Sequence, residues 1–131
     1  MTLSHRNPAP AILVVDDEEA VRRMAARALT ARGYRVLTAA SGEEALQVFD
    51  GQPSAIDVVL VDSLLPGMPG PELCRRLLAL NPELAVVAVS GQAQDEVKEA
   101  YAASAVRHFL FKPYRLGELA EAVERALGQG S

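Results

Sequence analysis

The chain has 131 residues, half of them apolar and 23% charged, with a formal charge of −4 and a single cysteine. That length suits one soluble domain able to bury a core without disulfides or structural metals. The acidic balance gives no reason to expect nucleic-acid binding, and the unpaired Cys74 suits a reducing cytoplasm. No apolar run approaches the roughly 20 residues of a membrane span.

Residues 1–10, with Pro8 and Pro10, read as a flexible arm that lacks the apolar centre of a signal peptide. Residues 11–127 then alternate strand and helix. Ala11–Val15 is a buried strand, and a helix over about Glu18–Arg32 places Val21, Met24, Ala25, Ala28 and Leu29 on one face, with Gly33 ending it. Tyr34–Ala39 is a second strand. Ser41 caps a helix that runs to about Asp50, with Glu44 completing a capping box. Asp57–Val61 is apolar without alternation, as a strand buried on both faces should be. Leu64–Gly70, holding two prolines and two glycines, is a loop. A helix over about Pro71–Leu80 follows, then a strand at Leu84–Val89 and a helix at Gln94–Ala103. Val106–Phe111 is the fifth strand, and Arg115–Leu127 the last helix, with Leu116, Leu119, Val123 and Leu127 inward. Residues 128–131 are a frayed end.

Five β–α pairs with continuous apolar strands imply an α/β, doubly wound (βα)5 domain of flavodoxin-like type, with a parallel sheet and helices on both faces. In the 2-1-3-4-5 strand order, the order reverses between the first and third strands, and ligands bind beyond the strands' C-terminal ends at that reversal. Asp16 and Asp17 follow the first strand, Asp62 the third, Ser90 the fourth and Lys112 the fifth. All five residues therefore meet at one edge of the sheet.

Clustered carboxylates resist ionising together, and a hard cation removes that difficulty. Mg²⁺ accepts carboxylate and phosphoryl oxygens alike. A carboxylate can also attack phosphorus and become an aspartyl phosphate. Lys112 would balance charge on the phosphoryl oxygens and Ser90 would donate a hydrogen bond to one of them; phosphoryl transfer needs mainly such positioning.

The motifs Val15-Asp16-Asp17-Glu18, Val61-Asp62-Ser63-Leu64-Leu65-Pro66-Gly67, Ser90-Gly91 and Phe111-Lys112-Pro113-Tyr114 occur in order, each after a strand. Over about Ala11–Leu127 the chain resembles the receiver domain of two-component response regulators and hybrid histidine kinases. The resemblance implies that Asp62 is the phospho-acceptor in a bacterial, cytoplasmic phosphorelay. Its donor would be a phosphohistidine on a sensor histidine kinase or a phosphotransfer protein. Asp17 and Asp62 would ligate Mg²⁺, Asp16 would act mainly through a bound water, and the Leu64 backbone carbonyl would be a further ligand. The Lys112–Pro113 peptide would be cis. Ser90 and the aromatic three residues before the lysine, here Phe109, would form the switch that alters the surface around the fourth helix, fifth strand and fifth helix. Phe109 stands where tyrosine is common and has no hydroxyl to donate. The domain would promote its own phosphorylation and dephosphorylation without being a turnover enzyme. It would act as a monomer or weak dimer, and signal to a downstream effector or to a domain of its parent protein. Leu64 and Gln92 occupy the two positions that, in the family this chain resembles, tune water attack on the phosphoryl group, and Leu64 offers that water no hydrogen bond, so slow self-dephosphorylation is expected.

Other readings lead elsewhere. A degenerate receiver would dock partners without phosphorylation. An aspartyl phosphohydrolase usually carries a second acid two residues after the nucleophile, where this chain has Leu64. A nucleotide- or flavin-binding domain uses a glycine- or hydroxyl-rich loop after the first strand, where this chain has Asp16-Asp17-Glu18-Glu19. Ser90 alone reads equally as a helix cap. Cys74 is expected as a packing residue and His108 as a polar strand end, while Val97, Tyr101 and Phe109 read as a partner surface or a part-buried helix face. No output domain follows the last helix in the sequence, and Gly67–Leu73 with the proline-rich arm resembles C-terminal receivers of hybrid kinases.

Overall fold

A computed structural model describes residues 9–51, 55–102 and 104–128. The elements are β1 (Ala11–Val15), α1 (Glu19–Ala31), β2 (Arg35–Ala39), α2 (Gly42–Gly51), β3 (Val58–Asp62), α3 (Gly70–Leu80), β4 (Ala85–Ser90), α4 (Gln94–Ala100), β5 (His108–Phe111) and α5 (Leu116–Leu127). The strands form one parallel sheet in the order β2-β1-β3-β4-β5. The expected arm lies outside the described residues apart from Ala9 and Pro10, whose carbonyls accept hydrogen bonds from Arg35 at the start of β2. Residues 129–131 of the expected frayed end also lie outside them. No helix among the described residues is long and apolar enough to cross a membrane.

The sheet divides the core into two layers, because successive side chains of a strand point to opposite faces. Leu13, Val15, Val59, Val61, Val86 and Ala88 face one layer, closed by Ala45 and Phe49 of α2, Leu73, Cys74 and Leu77 of α3, and Val97 of α4. Ile12, Val14, Val58, Leu60, Val87 and Val89 face the other, closed by Ala25 and Leu29 of α1 and Leu119, Val123 and Ala126 of α5. Burying each such Val, Leu, Ile or Phe contributes about 1.5–3 kcal/mol. That both faces of the inner strands are covered explains their unbroken apolar sequence.

Helix ends follow local chemistry. Gly33, at φ 95°, ends α1: its N–H reaches the Thr30 carbonyl and the Tyr34 N–H reaches that of Leu29. Such a turn needs a left-handed residue, which glycine supplies without strain. At α2 the Ser41 hydroxyl accepts the Glu44 N–H, while the Glu44 carboxylate accepts the Ala40 N–H, one residue earlier than the capping box anticipated.

Several expectations need correction. α4 stops at Ala100 rather than Ala103: the Ala102 N–H turns to the Glu99 carbonyl, three residues back instead of four, and Ser104 closes on the Tyr101 carbonyl through both its N–H and its hydroxyl. β5 begins at His108 rather than Val106, whose N–H is bonded to the Ser104 hydroxyl. Met24 is 57% exposed, because it lies about 100° round the helix from Ala25 on the buried stripe. Leu116, expected inward, opens α5 at its exposed first position. Val97 and Tyr101 are buried in the core and cannot themselves form a partner surface.

Candidate functional site

The register of the sheet brings the predicted residues together. Val15 of β1 pairs with Val61 of β3, Asp62 with Val89 of β4, and Ser90 with Phe111 of β5. Asp16–Asp17, Asp62, Ser90 and Lys112 therefore stand side by side at the C-terminal edge, where β1 and β3 lead to helices on opposite faces.

Carboxylate oxygens of Asp16, Asp17 and Asp62 lie within 4.8 Å of one another. Asp16 and Asp62 are buried and Asp17 is exposed, so the cluster opens to solvent on the Asp17 side. One Asp16 oxygen accepts the Glu18 N–H at 2.9 Å, which fixes the turn out of β1, and its backbone carbonyl accepts Arg22 Nη1 at 2.7 Å. Burial pushes the Asp16 carboxyl above its ordinary value, and the charges of Asp62 and Asp17 add to this; the Glu18 N–H and Lys112 oppose it. The charges of Asp62 and Asp17 thus act on Asp16 as mutual repulsion within the cluster. Its chemistry fits a small oxygen-seeking dication such as Mg²⁺.

Asp62 is held from two sides. Its Oδ1 accepts the Leu64 N–H at 3.1 Å, and its Oδ2 faces Lys112 Nζ at 3.5 Å. The Lys112 side chain is about a third exposed, so this pair is a positioned cation beside a carboxylate and not a sealed ion pair. The Lys112–Pro113 peptide is cis. The Lys112 N–H donates to the Ser90 carbonyl at 2.8 Å, joining the ends of β4 and β5.

Ser90 is buried, and its hydroxyl accepts the Gln92 N–H at 3.0 Å. It does not cap α4, whose N-cap is Ala93. Phe109 is half-buried, with its ring edge-on to Tyr101 at 5.8 Å and stacked on Phe111 at 6.4 Å. The Leu64 side chain is 66% exposed.

Three further residues belong to this edge. The Tyr101 hydroxyl is 2.9 Å from the Ser63 hydroxyl, and both residues are buried. Gly70, at the start of α3, packs against them: a Cβ there would lie 2.7 Å from the Tyr101 oxygen. Ser63 adjoins Asp62 in sequence, which was the available signal. Tyr101 gave none, since a tyrosine at helical spacing reads the same whether it faces the core or a partner.

The sequence profile described as "Response regulator receiver domain" matches residues 12–124. The chain is 41% identical over 116 residues to Sensor kinase CckA of Brucella abortus, covering 88% of this chain and 12% of that protein. It is 30% identical to Sporulation initiation phosphotransferase F of Bacillus subtilis, over 88% of this chain and 92% of that one. It thus spans a small part of the first relative and nearly all of the second. Among solved structures, a response regulator receiver domain protein from Clostridium thermocellum superposes with a TM-score of 0.85 at 28% identity, covering 92% of this chain and 96% of that chain. Chemotaxis protein CheY4 of Vibrio cholerae gives 0.84 at 28% identity, covering 91% and 99%. With strand order, edge cluster and profile in agreement, the chain belongs to the response regulator receiver domain family.

Proposed function

We propose that this domain is a phospho-acceptor of a two-component phosphorelay, and that Asp62 takes the phosphoryl group from a phosphohistidine on a sensor kinase or phosphotransfer protein. The observation that carries this reading is the setting of Asp62. One of its oxygens is fixed by the Leu64 N–H, the other faces Lys112, and carboxylate oxygens of Asp16 and Asp17 lie within 4.8 Å of it, a donor set suited to a cation.

An Asp62 oxygen attacks phosphorus, an O–P bond forms, and the N–P bond of the donor breaks with its electron pair returning to the imidazole. Lys112 stands where negative charge on the transferring group must be balanced. Asp16, Asp17 and Asp62, with the Leu64 carbonyl, would hold Mg²⁺, which would supply charge neutralisation for the incoming phosphoryl oxygens. The Ser90 hydroxyl then exchanges its local bond from Gln92 for one to the phosphoryl group, and Phe109 follows by packing alone. The affected surface is that of α4, β5 and α5. The domain is a stoichiometric acceptor and not a turnover enzyme. We place it in the bacterial cytoplasm, as a monomer or weak dimer that signals to an effector or to a domain of its parent protein.

Incubation with acetyl phosphate or phosphoramidate and Mg²⁺, followed by intact mass measurement, tests this. One added phosphate is expected, absent in Asp62→Asn and in EDTA. No addition from any donor would overturn the reading in favour of a docking module that works unphosphorylated.

A further inference from the structure

We infer that the Tyr101–Ser63 hydrogen bond is a latch, with Tyr101 as a positioning residue that holds α4 and Phe109 in the unphosphorylated arrangement and reads the state of Asp62. The inference rests on the phospho-acceptor reading above. Phe109 has no hydroxyl, so it can carry no hydrogen bond to the site. Tyr101 has one, buried and aimed at the residue next to Asp62.

The geometry makes this contact a mechanical link. Ser63 is pinned by its N–H to the Val89 carbonyl of β4, and its own carbonyl accepts the Gly70 N–H of α3. Gly70 lacks a side chain where one would strike the Tyr101 oxygen at 2.7 Å and Ser63 Cα at 2.8 Å. The hydroxyl therefore enters a slot walled by the β3–α3 loop. From there the ring reaches back to Phe109, edge-on at 5.8 Å, and the backbone of Tyr101 closes the C-terminus of α4.

α4 has few other anchors. Of its seven residues only Val97 is buried, and its N-cap makes no side-chain bond. One hydrogen bond at its far end therefore has leverage over the helix. The route from Asp62 is short: Ser63 lies between Asp62 and Leu64, and the Leu64 N–H is a donor to the Asp62 carboxylate. Converting that carboxylate to an acyl phosphate changes its charge and acceptors, and the adjustment passes through the peptide units that carry Ser63. A ligand favouring the open state must work against the latch, so removing the latch must tighten that ligand by the same factor.

The test uses the full chain as wild type, Tyr101→Phe, Ser63→Ala and the double variant. Amide hydrogen exchange is followed across α4, and beryllofluoride with Mg²⁺ is titrated as the phosphoryl mimic. Losing one neutral hydrogen bond corresponds to a shift of about 2- to 12-fold. Each single variant is expected to speed α4 exchange in the unloaded protein by about that factor, with half-saturation by beryllofluoride at a correspondingly lower concentration. The double variant should go no further than either single one, as two partners of one bond require. Mere loosening of the fold would weaken beryllofluoride binding, so tighter binding separates a latch from a packing role. Tyr101→Phe keeps the ring in place, and Ser63→Ala removes the same bond from the other side should the first variant fold poorly. In parallel, acetyl phosphate labelling is read by intact mass. A wild-type chain that takes no phosphate overturns the phospho-acceptor reading, and the coupling with it. A chain that does take phosphate, with variants matching wild type in exchange and titration or adding independently, overturns the latch alone.

Discussion

Alanine at Gly70 measures how tight the slot beside Asp62 is. The added Cβ would meet the Tyr101 hydroxyl oxygen at 2.7 Å, Ser63 Cα at 2.8 Å and the Asp62 carbonyl oxygen at 3.0 Å. Two of these are backbone atoms that cannot swing aside. Gly70 does not have a positive φ, so the obstacle is contact and not backbone strain. Overpacking of this kind costs about 1–3 kcal/mol. Gly117, in the first turn of α5, is the internal control, since a Cβ there meets nothing within 4 Å and φ is again ordinary. Alanine at Gly117 restricts the unfolded chain and gains up to about 1 kcal/mol. For a chain of 131 residues, an unfolding entropy of about 2.1 cal/mol/K per residue makes each kcal/mol worth roughly 4 °C in Tm. Calorimetry should then show Gly70→Ala lowered by about 4–11 °C and Gly117→Ala raised by up to about 4 °C. A Gly70→Ala protein as stable as wild type, or more so, would refute the reasoning, because it would mean that the slot opens at no cost.

Asp16→Asn removes one of three mutually repelling carboxylates, and two unit charges at 4 Å interact by roughly 1 kcal/mol even in bulk water. The variant should melt higher than wild type in EDTA and lose most of the stabilisation that Mg²⁺ confers, and a lower melting point in EDTA would count against a frustrated cluster. Cys74 is fully buried, and desolvation pushes its thiol up to about 12; a chromogenic disulfide reagent at neutral pH should therefore label it only after denaturant is added, whereas prompt labelling of the native chain would contradict the packing around α3. The exposed apolar Leu64 gives an attacking water no hydrogen bond, so Leu64→Asn should shorten the phosphoryl lifetime several-fold when decay is followed by intact mass. Decay of the wild-type phosphoprotein within seconds would contradict that account.

The edge cluster was readable in advance for one reason. In a parallel sheet every strand runs the same way, so the residue after each apolar run falls at the same edge. Asp16, Asp17, Asp62, Ser90 and Lys112 needed only the periodicity of the chain to be brought together. What periodicity could not convey was competition for single hydrogen bonds. The Ala102 N–H bonds Glu99 instead of Lys98 and Ser104 closes on the Tyr101 carbonyl, although Gln94–Ala103 reads as an unbroken helix. Met24 shows the same limit, since assigning it to the buried face required knowing which side of α1 the sheet would cover. The Tyr101–Ser63 contact spans 38 positions and carries no spacing signature, so it becomes visible only when α3, α4 and the β3–α3 loop are assembled.

The two-layer core has a consequence for how such a domain can diversify. Val87 answers to the layer of α1 and α5, while its neighbour Ala88 answers to the layer of α2, α3 and α4. Adjacent codons thus report to different packing environments, with the hydrogen-bonded sheet as a partition between them. Changes that add no shared contact are additive in free energy. Drift in the α1/α5 layer can accumulate without disturbing the Tyr101 slot, and changes in the slot leave the α1/α5 layer intact. One chain can in this way acquire new recognition on one side while preserving its internal response on the other.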